Sequence, residues 1–299
     1  MLIKDHHSKR SIMKIAVNYS KALLSLLEKD PKLPIDYIKG PTSPFPGCWH
    51  QFEDELPYAR LPHLAQLEVI FLGHRELQQR FNAQTVMKVL ECTKPTYLST
   101  HLEARIDFFP ELREYQHHNH PEVQKVLKSH FLKAISEVKA QIKIPLVLEN
   151  FPYYTWWRNF RWGSEPQFIR EICLESDCGF LLDIAHARCS AWHMRRDVMD
   201  YIQELPLDRL REIHLGGVCE RPEEGLRDTH TALTEADYEL VKILLAKTHP
   251  ETITIEYGGM PDQLLNMHQQ YEPINRNSPE ELEQMITRIK AIIKAQAGK

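Results

Sequence analysis

Eight short runs of β-forming residues, separated by longer segments of mixed polarity, constrain this chain more than any other feature. Strands are predicted at Lys14–Asn18, Ile35–Lys39, Tyr58–His63, Thr96–His101, Pro145–Glu149, Gly179–Asp183, Arg211–His214 and Thr252–Glu256. Several are nearly continuous apolar runs, as in PLVLE and GFLLD, rather than strict alternations. That pattern suits parallel strands covered on the outside by helices. The intervening segments carry helix signals. Over Pro121–Lys143 the residues Val123, Val126, Leu127, Phe131, Ile135, Val138 and Ile142 form one apolar stripe. Ser164 stands at the head of a helix running to about Glu175, Thr234 with Asp237 opens one ending near Lys247, and Ser278-Pro279 opens the last. A length of 299 residues would also suit two average domains. The unbroken alternation instead predicts one α/β domain, a (β/α)₈ TIM barrel over residues 14–299 behind a flexible segment at 1–13. Gly40–Leu56 is too rich in Pro for a regular crossover helix.

The polar residues fall at the strand ends. His101, Glu149, Asp183, His214 and Glu256 each close a predicted strand, and His186 follows Asp183 by three positions. Beyond strand seven, Asp228 and His230 flank Thr229 and can point the same way, and strand three ends on His63. In a parallel barrel all carboxyl ends meet at one face, where active sites are built. Five imidazoles and four carboxylates would therefore converge on one pocket. So many ionisable groups repel and neutralise one another unless cations sit among them. The predicted ligands are His63, His101, Glu149, Asp183, His186, His214, Asp228, His230 and Glu256, with Glu149 placed to bridge two ions. The set is all nitrogen and oxygen, which fits iron, manganese or catalytic zinc. The six cysteines form no CxxC pair and read as scattered thiols.

A net charge of −4 argues against a protein that coats a phosphate backbone, so a nucleic-acid partner is not expected. The first fourteen residues lack a signal peptide's apolar core and no run approaches a membrane span, so a cytoplasmic protein is expected. The aromatic loop Tyr153–Trp162 reads as a hydrophobic cover over the barrel mouth. Candidate substrate-binding residues are Asn150, Tyr154, Trp156, Trp157, Trp162, Arg188 and His193.

The blocks HLE (His101–Glu103), LENFPYY (Leu148–Tyr154), LLDIAHAR (Leu181–Arg188), EIHLGG (Glu212–Gly217), RDTHT (Arg227–Thr231) and TIEYGG (Thr254–Gly259) occur in this order. Together they resemble the DUF692 family of multinuclear non-heme iron-dependent oxidative enzymes, of the methanobactin-biosynthesis type, over about residues 14–297. The resemblance implies a TIM barrel with two or three iron ions, zinc or manganese being alternatives. It also implies oxidation, with O₂, of cysteine or other residues in a ribosomally made peptide, and a separate partner protein to recognise the leader segment. The ligands it implies are His101, Glu149, Asp183, His214, Asp228, His230 and Glu256. The chain departs from the family pattern in having His186 where many members carry Asn, and His63-Leu64 in place of a His-Gly pair.

The DxxH at Asp183–His186 and the DxH at Asp228–His230 also resemble endonuclease IV-like barrels, which share their fold with xylose isomerase-like enzymes. Two alternatives follow. One is a metal phosphodiesterase acting on abasic DNA. The other is a sugar isomerase or epimerase, for which Lys39 could act as base. A binding protein with a decayed site would show gaps among the ligands, and none is present.

Overall fold

The computed structural model describes residues 13–42, 63–67, 72–76, 81, 83–258 and 278–297. The segment expected to be flexible at the amino terminus lies outside these residues except for Met13, as does most of Gly40–Leu56. Eight parallel strands close a barrel: β1 (Lys14–Asn18), β2 (Tyr37–Thr42), β3 (His63–Leu67), β4 (Leu98–Leu102), β5 (Leu146–Asn150), β6 (Gly179–Asp183), β7 (Leu210–Leu215) and β10 (Thr252–Ile255). The ring runs in sequence order, and β10 pairs with both β7 and β1 to shut it. Its strands β4 and β5 are buried along their whole length, as continuous apolar runs require.

Two strands differ from the sequence reading. The second is shifted towards the carboxyl end, to Tyr37–Thr42. The third runs over His63–Leu67 rather than Tyr58–His63, so His63 opens this strand instead of closing it. The rest of the expected span, 58–62, lies outside the described residues. A hairpin, β8 (Gly217–Arg221) and β9 (Gly225–Thr231), leaves the barrel after β7 and carries Asp228 and His230.

Helices clothe the barrel, and their starts follow the sequence signals. In α1 (Lys21–Lys29) the Ser20 hydroxyl accepts from the Leu23 N–H. Between β3 and β4 lies α2 (Ala83–Thr93). Then α3 (Pro121–Lys139) begins with Pro in its first turn and buries Val123, Leu127, Phe131, Ile135 and Val138. It stops short of Lys143, while Ile142 remains buried. Next come α4 (Pro166–Glu175), which starts at Glu165 without a side-chain cap, α5 (Ile184–Met194) and α6 (Val198–Glu204). A reciprocal capping box between Thr234 and Asp237 opens α7 (Glu235–Leu245). The last helix, α8 (Pro279–Ala297), has its Glu281 N–H bonded to the Ser278 hydroxyl. Among the described residues no helix is long and apolar enough to cross a membrane. Cys173, Cys178, Cys189 and Cys219 are free thiols, and only Cys219 is exposed.

Candidate metal centre

The rim at the carboxyl ends of the strands gathers eight of the nine expected ligands. Glu149, near the end of β5, is fully buried and stands in the middle. His101 of β4 approaches its Oε2 at 3.2 Å through Nε2, while His186 and His214 approach Oε1 through Nδ1 at 3.5 and 3.4 Å. His214 Nδ1 lies 3.0 Å from Glu256 Oε1 and 3.9 Å from Asp183 Oδ2. On the hairpin side, His230 Nε2 lies 3.1 Å from Asp228 Oδ2 and 3.5 Å from Glu256 Oε2, and His186 Nε2 lies 3.4 Å from Asp228 Oδ2.

Local folding explains how these atoms come to face one another. Asp183 ends β6 and caps α5: its Oδ1 accepts from the His186 N–H at 2.7 Å, which leaves Oδ2 turned to the cluster. Asn150 fastens the neighbouring strand, donating to the Asp183 carbonyl at 2.9 Å and accepting from the Asp183 N–H at 2.8 Å. Its own carbonyl accepts from His186 Nδ1 at 2.8 Å, so that ring is held with Nε2 inward. The hairpin passes close over Gly216. A Cβ there would stand 3.3 Å from Asp228 Oδ1 and 3.5 Å from His230 Cδ2. His230 itself sits at φ 47°, a left-handed conformation uncommon outside glycine. Its side chain is 39% exposed, against 12% or less for the other seven, and it marks the open side of the centre.

Four buried atoms of these side chains have no hydrogen-bond partner among the described residues: His101 Nδ1, Glu149 Oε1, Asp183 Oδ2 and His214 Nδ1. Buried polar atoms normally find partners. Here three of the four are aimed at one another, close but without hydrogen-bond geometry. Two ligand triads satisfy the spacing of a metal site, His101–Glu149–His186 and Glu149–Asp183–His214, with candidate atoms within 4.8 Å of one another. Glu149 is common to both. An all-N/O donor set sharing one carboxylate fits two neighbouring divalent cations.

The charges are mutually supporting. Burial alone would raise the Glu149 carboxyl, but His101 and His214 hold it well below the usual range. Burial pushes Asp183 up to about 7, with Asp228, Glu256 and Glu149 adding to the rise. Burial would lower the imidazoles. The surrounding carboxylates overcome it, carrying His186 and His230 up to about 10 and His214 well above its ordinary value. The imidazole protons and a bound cation thus compete for the same negative charge.

The remaining expected residues fall elsewhere. His63 opens β3, and nearer the rim of that strand Gln66 donates from Nε2 to Glu149 Oε2 at 2.8 Å. Trp162 is 4% exposed and packs on Phe168, ring centroids 6.1 Å apart, so it belongs to the core rather than to a substrate surface. Arg188 is ion-paired to Asp237 at the start of α7, which accounts for its charge without a substrate. Tyr154, Trp156 and His193 tie the aromatic loop to the hairpin. The Tyr154 hydroxyl accepts from the Asp228 N–H at 3.2 Å, and Trp156 Nε1 donates to the Glu224 carbonyl at 2.8 Å. His193 Nε2 bonds the Leu226 carbonyl at 3.0 Å. Trp157 lies on the same loop, in edge contact with Trp156. Lys39 lies inside the barrel, 2% exposed, bonded to Glu212 Oε2 at 2.8 Å and Ser99 Oγ at 2.9 Å. Gln66 and Glu212 are absent from the sequence reading. Glu212 stands two residues before His214 on one strand, and that period-two spacing is the signal that could have found it.

A closed (β/α)₈ barrel with a buried His/carboxylate cluster at its carboxyl rim defines a TIM-barrel enzyme with a site able to hold metal ions. The model of the family described as RiPP precursor modification enzyme MbnB/TglH/ChrH matches residues 69–277, and the chain belongs to that family. A UPF0276 protein of Paraburkholderia phytofirmans is 33% identical over 140 residues, 45% of each chain. Another from Psychromonas ingrahamii is 23% identical over 191 residues, 62% of this chain and 65% of the relative. The matched stretches thus span less than two thirds of these relatives' own lengths. Among solved structures, a xylose isomerase-like TIM barrel protein from Mycobacterium smegmatis in complex with magnesium has a TM-score of 0.56 at 11% identity, covering 95% of this chain and 97% of that one. An AP endonuclease of family 2 from Brucella melitensis has a TM-score of 0.53 at 14% identity, covering 87% and 99%. At these identities the likeness is one of fold.

Proposed function

We propose that this chain is an iron-dependent oxidase that uses O₂ to modify a cysteine-containing, ribosomally made peptide. Family membership supports a peptide-modifying enzyme. The observation that carries the metal part is the convergence of Glu149 Oε1, Asp183 Oδ2 and His214 Nδ1, all buried and all without hydrogen-bond partners. His101, Glu149, Asp183, His186, His214, Asp228, His230 and Glu256 would hold two or three ions, with Glu149 shared. Bound iron supplies redox capacity and the Lewis acidity that turns a thiol into a thiolate, neither of which any side chain here provides.

The chain's own groups do the rest. The half-buried Phe151 ring packs against the His101 and His186 rings at 5.7 and 5.9 Å. The exposed side is bounded by His230, and the exposed Trp156, stacked on the buried Tyr154 ring with centroids 5.1 Å apart, offers an apolar surface to a peptide. A separate partner that grips the leader segment would deliver the peptide there.

The test is reconstitution without oxygen, metal analysis with Mössbauer spectroscopy, and then O₂ exposure with a cysteine-containing precursor peptide. Iron-loaded protein is expected to consume O₂ and change the peptide's mass, and zinc-loaded protein to be inert, because zinc has no accessible redox state. Equal turnover by both forms would sink the oxidase reading.

A further inference from the structure

One buried ion pair beneath the cluster has no part in the ligand set. Lys39 of β2 and Glu212 of β7 are 2% and 0% exposed and meet at 2.8 Å. Glu212 Oε2 also accepts from the Tyr97 hydroxyl at 2.9 Å. Its Oε1 accepts from His214 Nε2 at 3.1 Å and from the Thr254 hydroxyl. Four donors fill both oxygens, so Glu212 keeps no lone pair for a cation and is not itself a ligand. Burying such a pair is costly against an apolar substitute, so it calls for a reason.

The reason lies in what Glu212 does to the ring above it. We infer that Glu212, neutralised by Lys39, is a positioning residue for the metal centre, holding the His214 imidazole so that Nε2 keeps its hydrogen and Nδ1, which faces Glu149, Asp183 and Glu256, is the nitrogen that gives up its proton to a cation. A carboxylate only accepts, so it dictates which ring nitrogen carries the hydrogen. A carboxamide can also donate and therefore would not. Alternation along β7 puts Glu212 and His214 on one inward face. Register holds the layer in place, with Glu212 beside Thr252 and His214 beside Thr254 on β10. Lys39 cancels the carboxylate's charge, so the layer orients the ligand without adding to the negative charge of the site. Carboxylate–imidazole–metal arrangements of this kind tune affinity from outside the ligand set.

This inference rests on the metal-centre reading, and the experiment separates the two. Cobalt(II) is titrated into the full-length chain against a competing chelator, with the visible cobalt spectrum recorded and the Tm of the metal-free protein measured alongside. Glu212→Gln is expected to weaken cobalt binding about 10- to 100-fold and to alter the spectrum. Since Glu212→Gln strands the Lys39 charge and can fail to fold, Lys39→Met/Glu212→Gln is the second variant. It removes both charges and is expected to show the same loss. Phe131→Leu, in the packing between α3 and its neighbours, lowers Tm without touching this layer and is expected to keep parental affinity. A loss of less than about tenfold in the double variant overturns the assignment, and so does an equal loss in Phe131→Leu. A parent chain that binds no cobalt overturns the metal-centre reading itself, together with this one.

Discussion

Glu149 is the residue on which the candidate site turns, because both ligand triads contain it. Glu149→Gln keeps its size and removes one charge. It is expected to cost more cation affinity than the 10- to 100-fold typical of a partner outside the ligand set, read by metal analysis after dialysis. Full metal content and turnover would show that Glu149 is no ligand. A second expectation concerns protons. His186 and His230 have pKa values raised to about 10, so each carries its proton at every pH below that value. A cation must displace those protons, so apparent affinity rises as pH rises toward about 10 and falls as pH drops. Calorimetry in buffers of different ionisation enthalpy should read a net proton release at pH 7, and zero release would contradict the assignment of these rings. The candidate ligands were legible because strand ends in a parallel barrel share one face. Asn150 and Glu212 act through other residues, and a sequence does not display a hydrogen bond to a neighbouring strand's backbone or to a ring two positions away.

At the scale of elements, the aromatic loop 153–162 divides into two physical roles. Trp156 is 37% exposed, stacks on Tyr154, and is bonded to the hairpin at Glu224. Trp156→Ala is expected to weaken peptide binding by about 1–2 kcal/mol, seen as a raised KM at unchanged metal content. Loss of metal with no change in KM would refute that role. Trp162, predicted to share it, is core instead, and Trp162→Ala is expected to cost about 3–5 kcal/mol of folding stability in urea unfolding. Both tryptophans sit in one aromatic run, and hydrophobicity alone does not tell a packed indole from a presented one. The helix starts at Thr234 and Ser278 could be read from capping chemistry because caps are local, whereas Ser164 falls one residue before the uncapped start at Glu165. The hairpin escaped notice because Gly225, at φ 73° beneath the Trp192 ring, makes a turn whose need for glycine comes from a distant side chain.

For the whole molecule, the barrel alone does not choose a reaction, since hydrolases, isomerases and oxidative enzymes share it. Two features of this chain do bear on the choice. Lys39, the candidate isomerase base, is spent on Glu212 inside the barrel rather than at its mouth. Arginines of the aromatic loop and the hairpin are also engaged. Arg158 pairs with Asp107 at 2.5 Å, Arg161 with Glu165 at 3.0 Å and Arg227 of the hairpin with Glu224 at 2.9 Å. A guanidinium held by a carboxylate gains little from a phosphate, because the existing pair must first be broken, and the net charge of −4 adds no attraction. Proteins that grip a duplex release counterions, and their affinity falls steeply with salt, by roughly 0.9 in log–log slope for each phosphate neutralised. Zinc-loaded protein is therefore expected to leave an abasic-site duplex uncut, and any residual DNA binding should show a slope near zero between low and moderate salt. A gel assay for strand cleavage and a fluorescence titration at several salt concentrations measure the two. Metal-dependent cleavage at the abasic site, accompanied by a steep slope, would move this chain from peptide oxidation to phosphodiester hydrolysis.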